Sequence, residues 1–270
     1  MNDDTPPARR TTRFDAMQAW NSAIAAIKTN RDTLLVIAGL FFLLPQLVLA
    51  FVLPEAPTDV GEDEVMKQMA ELYADNWYLF IGWFVLQAIG TLCVIILLTD
   101  RARPTVGEAM GSAMRLMPIN FAAQLIVMAG IGIMLLIVLL VASLTGSEGI
   151  MVLAVVVALP VAAWIFIRTS LSTPVIGAER ERNPFEALKR SWAMTAGAAG
   201  RLALFFVLIF IAVMVINVVV TAVPGAILGA VAGQETAMIY GAVAGSLVAA
   251  AFALLSAALL TAIYGQLGAR

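Results

Sequence analysis

Ile119–Ala142 reads INFAAQLIVMAGIGIMLLIVLLVA and holds no charged residue. It is longer than the roughly 20 apolar residues that carry a helix across a bilayer. A helix of this composition has no polar side to turn toward water, so a soluble core does not explain it. Lipid offers no partner for backbone N–H and C=O groups, so the stretch must satisfy its own as a helix. Five further stretches read the same way: Leu34–Leu53, Trp77–Thr99, Ile150–Ile167, Leu202–Val223 and Ala237–Tyr264. Together they predict an all-α, polytopic membrane protein with six transmembrane helices, folded as one domain over residues 1–270.

The composition agrees. The chain is 61% hydrophobic and 13% charged, against about a quarter charged in soluble domains. Fifteen of its sixteen Lys and Arg residues fall on one side of the six-span topology, and Lys67 alone falls on the other. The opposite side carries the acidic connection Pro54–Asn76, with Glu55, Asp59, Glu62, Asp63, Glu64, Glu71 and Asp75. The positive-inside rule therefore expects both termini in the cytoplasm. The first thirty residues are polar and Arg-rich with no apolar core before Leu34, so span one is expected to act as its own insertion signal. The simplest compartment is a bacterial inner membrane. Cys93 is the single cysteine and lies inside span two, which excludes an intrachain disulfide.

Three segments ahead of the odd-numbered spans share a pattern: Thr12-Arg-Phe-Asp15-Ala-Met, Thr105-Val-Gly-Glu108-Ala-Met and Asn183-Pro-Phe-Glu186-Ala-Leu. Each reads as a helix cap, two spacers and an acid that reaches back to the cap. Pro184 stands at the first helical position, where its missing N–H is no loss. Each segment continues with an apolar stripe: Phe14, Met17, Ile24 and Ile27 with Trp20 beside them; Val106, Ala109, Met110, Ala113 and Met117; Phe185, Leu188 and Trp192. A striped helix with basic residues and Trp at its edge suits the plane of the headgroups. The expected architecture is three units of one cytoplasmic interfacial amphipathic helix and two spans, at about 12–99, 105–167 and 183–265, after a disordered terminus at 1–11.

No Asp, Glu, Lys, Arg or His lies within a span, and the chain has no His at all. That argues against proton-driven transport, which uses ionisable relays inside the membrane. It also removes the usual metal ligands and general bases. Asp59, Glu62, Asp63 and Glu64 lack the regular spacing of a calcium loop and read as a solvated surface run. No nucleotide or nucleophile motif occurs, so the expectation is a non-enzymatic protein without cofactor or metal. The candidate lipid- or partner-binding residues are the basic and aromatic groups on the cytoplasmic side: Trp20, Arg103, Arg115, Arg180, Arg182, Lys189, Arg190, Trp192 and Arg201. Lys189, Arg190 and Trp192 are expected to form a working surface whose joint replacement spares the fold. Gln46, Gln87, Gln124 and Asn217 read as glue between spans or, alternatively, as one polar cavity for a carrier or flippase. Pro45 and Pro160 are expected to kink spans one and four. Gly241 and Gly245 form a small-residue face for packing within the bundle or for a homo-oligomer, with membrane lipids and a membrane protein as the other expected partners.

The segment Pro184-Phe-Glu-Ala-Leu-Lys-Arg-Ser191-Trp192-Ala-Met-Thr195-Ala-Gly197 resembles a motif of the membrane domain attached to some glycerophosphoryl diester phosphodiesterases, and of YciC-type bacterial inner-membrane proteins. Those families show a similar Ser-Trp-x-Leu-Thr-x-Gly run ahead of a span, with Met194 here in the Leu place. The Phe-Phe-Leu-Leu-Pro45 run of span one is similar too. The resemblance implies a six-span membrane domain of unassigned role. It does not bring the phosphodiesterase activity, whose separate barrel needs His and acidic metal ligands.

Overall fold

The computed structural model describes residues 14–53, 61–100 and 104–268, and every regular element among them is a helix. In chain order these are α1 (Ala16–Thr29), α2 (Arg31–Val52), α3 (Glu62–Asp75), α4 (Trp77–Thr99), α5 (Val106–Ser143) and α6 (Glu148–Thr169). There follow α7 (Ser172–Glu179), α8 (Pro184–Met194), α9 (Ala199–Ala232) and α10 (Gln234–Gly268). Six of them, α2, α4, α5, α6 with α7, α9 and α10, are long and apolar enough to cross a membrane. The fold is that of an all-α, multi-pass membrane protein.

α10 is the hub, packing on α9, α4, α2 and α1. Its buried residues Leu254, Ala257, Ala258, Leu259, Ile263 and Leu267 lie in the half nearest the basic end. The five consecutive residues Leu92–Ile96 of α4 are all buried, so this half of α4 is enclosed on every side. Two glycines permit the close approaches. A Cβ at Gly90 would stand 2.6 Å from Phe41 Cβ and 2.7 Å from Phe42 Cε1. A Cβ at Gly177 would stand 3.0 Å from Ile95 Cγ2, where the buried helix α7 crosses α4. The other spans are less enclosed. In the most apolar windows of α5, α6 and α9, 11%, 11% and 6% of residues are buried, against 33%, 39% and 39% in α2, α4 and α10. Residues such as Leu136, Val156, Phe210 and Val219 thus face outward, as lipid-contacting residues do.

The prolines are handled in different ways. α2 passes through a π-helical segment, Ala38–Leu43, in which the Leu44 N–H bonds Gly39 O. This wider turn makes room for Pro45, whose ring would otherwise press on the carbonyl one turn back. α6 runs on through Pro160 without a break in its assignment, and α9 through Pro224. Pro224 has no N–H to give the carbonyl of Val220, and Tyr240 Oη of α10 donates to that oxygen at 2.8 Å.

Two expectations need correction. The second interfacial segment is not separate: α5 is one helix of 38 residues that includes it, roughly 57 Å long at 1.5 Å per residue. Nothing before Pro118 supplies a left-handed stop, whereas α8 ends ahead of Gly197 at φ +77°. In the first unit Asp15 is the cap itself, accepting from Gln18 N at 2.9 Å, and the helix starts at Ala16. Gln266 of α10 holds the Asp15 backbone from both sides, at 3.2 and 3.1 Å, and keeps it extended. The acidic connection is a helix, α3, that leaves Glu64, Glu71 and Asp75 exposed and sets Tyr73 against Phe80 at 4.8 Å. The stretch after Pro224 continues α9 to Ala232, and Gly233 at φ +92° turns the chain. Residues 1–11, Thr12, Asp59 and Arg103, and the side chains of Glu62 and Asp63, lie outside the described residues.

Candidate functional site

The basic end of the bundle is organised around α8. Asn183 caps it, its side chain accepting from Phe185 N at 3.0 Å, with Pro184 at the first position. Its bundle-facing side is Ala187, Ser191 and Met194, followed by the buried Thr195. Ser191 Oγ donates to Arg168 O at 2.9 Å and accepts from Leu171 N at 3.1 Å. Thr195 Oγ1 also reaches Arg168 O, at 3.2 Å. The last carbonyls of a helix have no partner within it, and α8 supplies one to α6 from its side chains. The Ser191-Trp192-x-x-Thr195 run is thus a capping device for the preceding span. Trp192 lies over the Arg168 guanidinium, 4.5 Å from ring centroid to carbon, with Trp164 on the same cation at 5.9 Å. Arg168 Nε is buried and makes no hydrogen bond.

Polar pairs then tie the elements together. Glu179 at the end of α7 accepts from Arg190 Nε and from Tyr264 Oη, both at 2.7 Å. Arg180 pairs with Asp100 at the end of α4 at 3.2 Å. Arg201 Nη1 donates to Phe14 O at 3.4 Å, and Phe14 meets Phe205 edge-on at 5.7 Å. In α5 the full capping box of Thr105 and Glu108 is formed.

The expected binding residues divide into three groups. Arg115, Arg180 and Arg182 come together around one cavity of ≈ 340 Å³, shared with Ser112, Leu116 and Ile119. Arg190, Trp192 and Arg201 are engaged within the fold, so Lys189, Arg190 and Trp192 are not a surface that can be removed without touching the structure. Lys189 pairs with Glu186, at 3.7 Å in the exposed turn, and Trp20 is exposed on α1. The stripes also divide. Phe14, just ahead of α1, is buried with Ala19 and Ala23 of that helix while Met17 turns outward, and α8 buries Ala187, Ser191 and Met194 and turns Phe185 outward.

The four amides are not brought together. Gln46 accepts from Trp83 Nε1 at 3.1 Å, between α2 and α4. Gln124 donates to Thr173 Oγ1 at 3.3 Å, between α5 and α7. Gln87 and Asn217 sit half-buried on α4 and α9. A Cβ at Gly245 would stand 3.8 Å from Thr221 Cγ2 of α9, while a Cβ at Gly241 would meet nothing within 4 Å among the described residues. Two residues escape a reading by sequence. Arg168 counts there only toward topology, although Trp164 one turn before it is a signal for stacking. Asn120 is buried inside α5 with its Oδ1 unpartnered.

The class is therefore a multi-pass helical membrane protein whose basic end is a tightly cross-linked layer of short helices. No known family, curated protein or solved structure matches the chain.

Proposed function

We propose that this chain is a non-enzymatic bacterial inner-membrane protein that organises or senses lipid, or supports a membrane assembly, through its cytoplasmic interfacial helices. The observation that carries the reading is the two-faced build of α1 and α8. The buried contacts of each with the spans are mostly small or polar residues, Ala19 and Ala23 in one, Ala187 and Ser191 in the other, where Met194 closes the last turn. Each leaves large apolar residues outward, Met17 and Trp20 in one, Phe185 in the other, where Trp192 stays part-exposed while stacked on Arg168. A helix that served only to close the bundle would turn its large residues inward. Large residues directed away from the bundle, with Lys28 and Lys189 nearby, suit the headgroup layer, where aromatic rings and basic side chains gather. The excess of Lys and Arg at this end supports a cytoplasmic placement. The resemblance of Pro184–Gly197 to the YciC-type membrane domain belongs to the same proposal. A carrier or flippase, the alternative, draws no support from the amides, since Gln46 and Gln124 serve separate helix contacts.

The test is depth-dependent quenching. A variant keeping Trp20 as its only tryptophan is reconstituted with lipids brominated near the headgroup or near the chain ends. Quenching strongest with the shallow bromines is the expected result. No quenching by either lipid would place α1 in water and overturn the reading.

A further inference from the structure

We infer that the cavity between the first turns of α5 and the end of α7 is a binding site for a phosphate group, presented by an anionic lipid headgroup or as a free anion. Ser112, Arg115, Leu116 and Ile119 follow one another at i, i+3, i+4 and i+7 and so share one face of α5. Arg180 and Arg182 close the cavity from the other side. Its volume of ≈ 340 Å³ lies within the usual range of ligand pockets, about 300–1,000 Å³.

Arg115, Arg180 and Arg182 line one cavity with their side chains exposed, and their like charges favour an anion there. The carboxylates nearby are already committed. Asp100 pairs with Arg180. Glu181 turns back to its own backbone, accepting from Arg182 N at 2.8 Å and Asn183 N at 2.9 Å. Arg115 and Arg182 have no ion-pair partner among the described residues. Arg180 is the single non-glycine described residue with positive φ, at 54°, a left-handed conformation that L side chains rarely adopt. Its side chain is held beside the cavity by that backbone and by Asp100 together. Guanidinium forks match phosphate oxygens in pairs, and the Ser112 hydroxyl adds a further donor. Leu116 and Ile119 give the cavity an apolar wall that continues into the apolar run from Ile119 onward, where the glycerol and first methylenes of a lipid would lie. This deepens the lipid reading by naming the chemistry recognised, and it is tested through residues that the quenching experiment does not touch.

The experiment compares the wild type with Arg115→Gln/Arg182→Gln and with the control Arg31→Gln, an exposed cation that pairs with Asp32 at 3.4 Å away from the cavity. All three are placed in discs of equal parts phosphatidylcholine and phosphatidylglycerol, and native mass spectrometry counts the lipids each chain retains. The wild type and the control should retain phosphatidylglycerol in preference to phosphatidylcholine. The double variant should lose that preference by at least about tenfold, because a charge-assisted contact is worth a decade of affinity or more. In parallel, thermal unfolding in neutral detergent is followed with sodium phosphate against sodium chloride at matched ionic strength. Stabilisation of the wild type but not the double variant by phosphate, without phosphatidylglycerol preference, supports the site and names the free anion as its source. A double variant as selective as the wild type in both arms overturns the inference, as does a wild type selective in neither. Arg115→Lys/Arg182→Lys, which keeps charge without the fork, replaces the double variant if that fails to fold, and it should lose most of the preference.

Discussion

Ser191→Ala tests the capping role of α8 directly. Ser191 is fully buried, and its hydroxyl serves two backbone groups at once, donating to Arg168 O at 2.9 Å and accepting from Leu171 N at 3.1 Å. Alanine leaves the Leu171 N–H without that partner, and an unsatisfied buried group costs about 1–3 kcal/mol. The Arg168 carbonyl is better protected, since Thr195 Oγ1 lies 3.2 Å away. Thr195 has one proton and divides it among Arg168 O, Ser191 O at 2.9 Å and Trp192 O at 3.2 Å. It can turn that proton to Arg168 once Ser191 is gone. Ser191→Ala should therefore destabilise by about 2 kcal/mol, and Thr195→Val alone by about 1 kcal/mol or less. The two together should exceed the sum of the single effects by roughly 0.5–1 kcal/mol, because only then does Arg168 O lose both donors. Equilibrium unfolding in mixed micelles, read by circular dichroism, gives all three values. Ser191→Ala within about 0.5 kcal/mol of wild type, the usual range of a plain surface change, would refute the capping account. Strict additivity would refute the shared acceptor.

Two further perturbations probe the spans. Tyr240→Phe removes the donor to Val220 O and should cost about 0.6–1.7 kcal/mol, the measured range for hydrogen bonds between membrane helices; in a Pro224→Ala background, where residue 224 regains its N–H, the same change should cost almost nothing, and an equal cost in both backgrounds would sink the idea. Gly90→Ala drives a Cβ into Phe41 and Phe42 and should destabilise by about 1–3 kcal/mol, whereas Gly82→Ala on the same helix, with nothing within 4 Å, should be neutral or better; matched thermal shifts for the two variants would contradict the close contact of α2 and α4.

Much of this protein is legible along the chain because the signals are local. Hydrophobicity accumulated over about twenty residues identifies a span without reference to anything else. The capping box of Thr105 and Glu108, and the cap at Asn183 with Pro184 behind it, depend on residues within one turn of each other. The first box fails for the opposite reason. Its pattern is intact, but Gln266, some 250 positions away, takes hold of the Asp15 backbone and moves the helix start. The candidate site is split along the same line. The basic character of one end is written in the composition of the loops. That Arg115 joins Arg180 and Arg182, while Arg190 and Arg201 are drawn into the fold, depends on how α5, α7, α8 and α10 meet.

The inward faces of α1 and α8 show what the linear pattern could not decide. In a soluble protein an apolar stripe points to the core, because water covers the other side. At a membrane both the bundle and the lipid are apolar, so polarity no longer distinguishes in from out. Size does: small residues let helices approach, and large ones are left for lipid. Ala19, Ala23, Ala187 and Ser191 accordingly face the spans, with Met194 the one large side chain beside them on α8, and Met17 and Phe185 face away. The sequence by itself determines the number of spans, the sign of each end and where two of the three interfacial segments begin. The tertiary structure alone decides which residues of those segments hold the protein together and which are free to meet its surroundings.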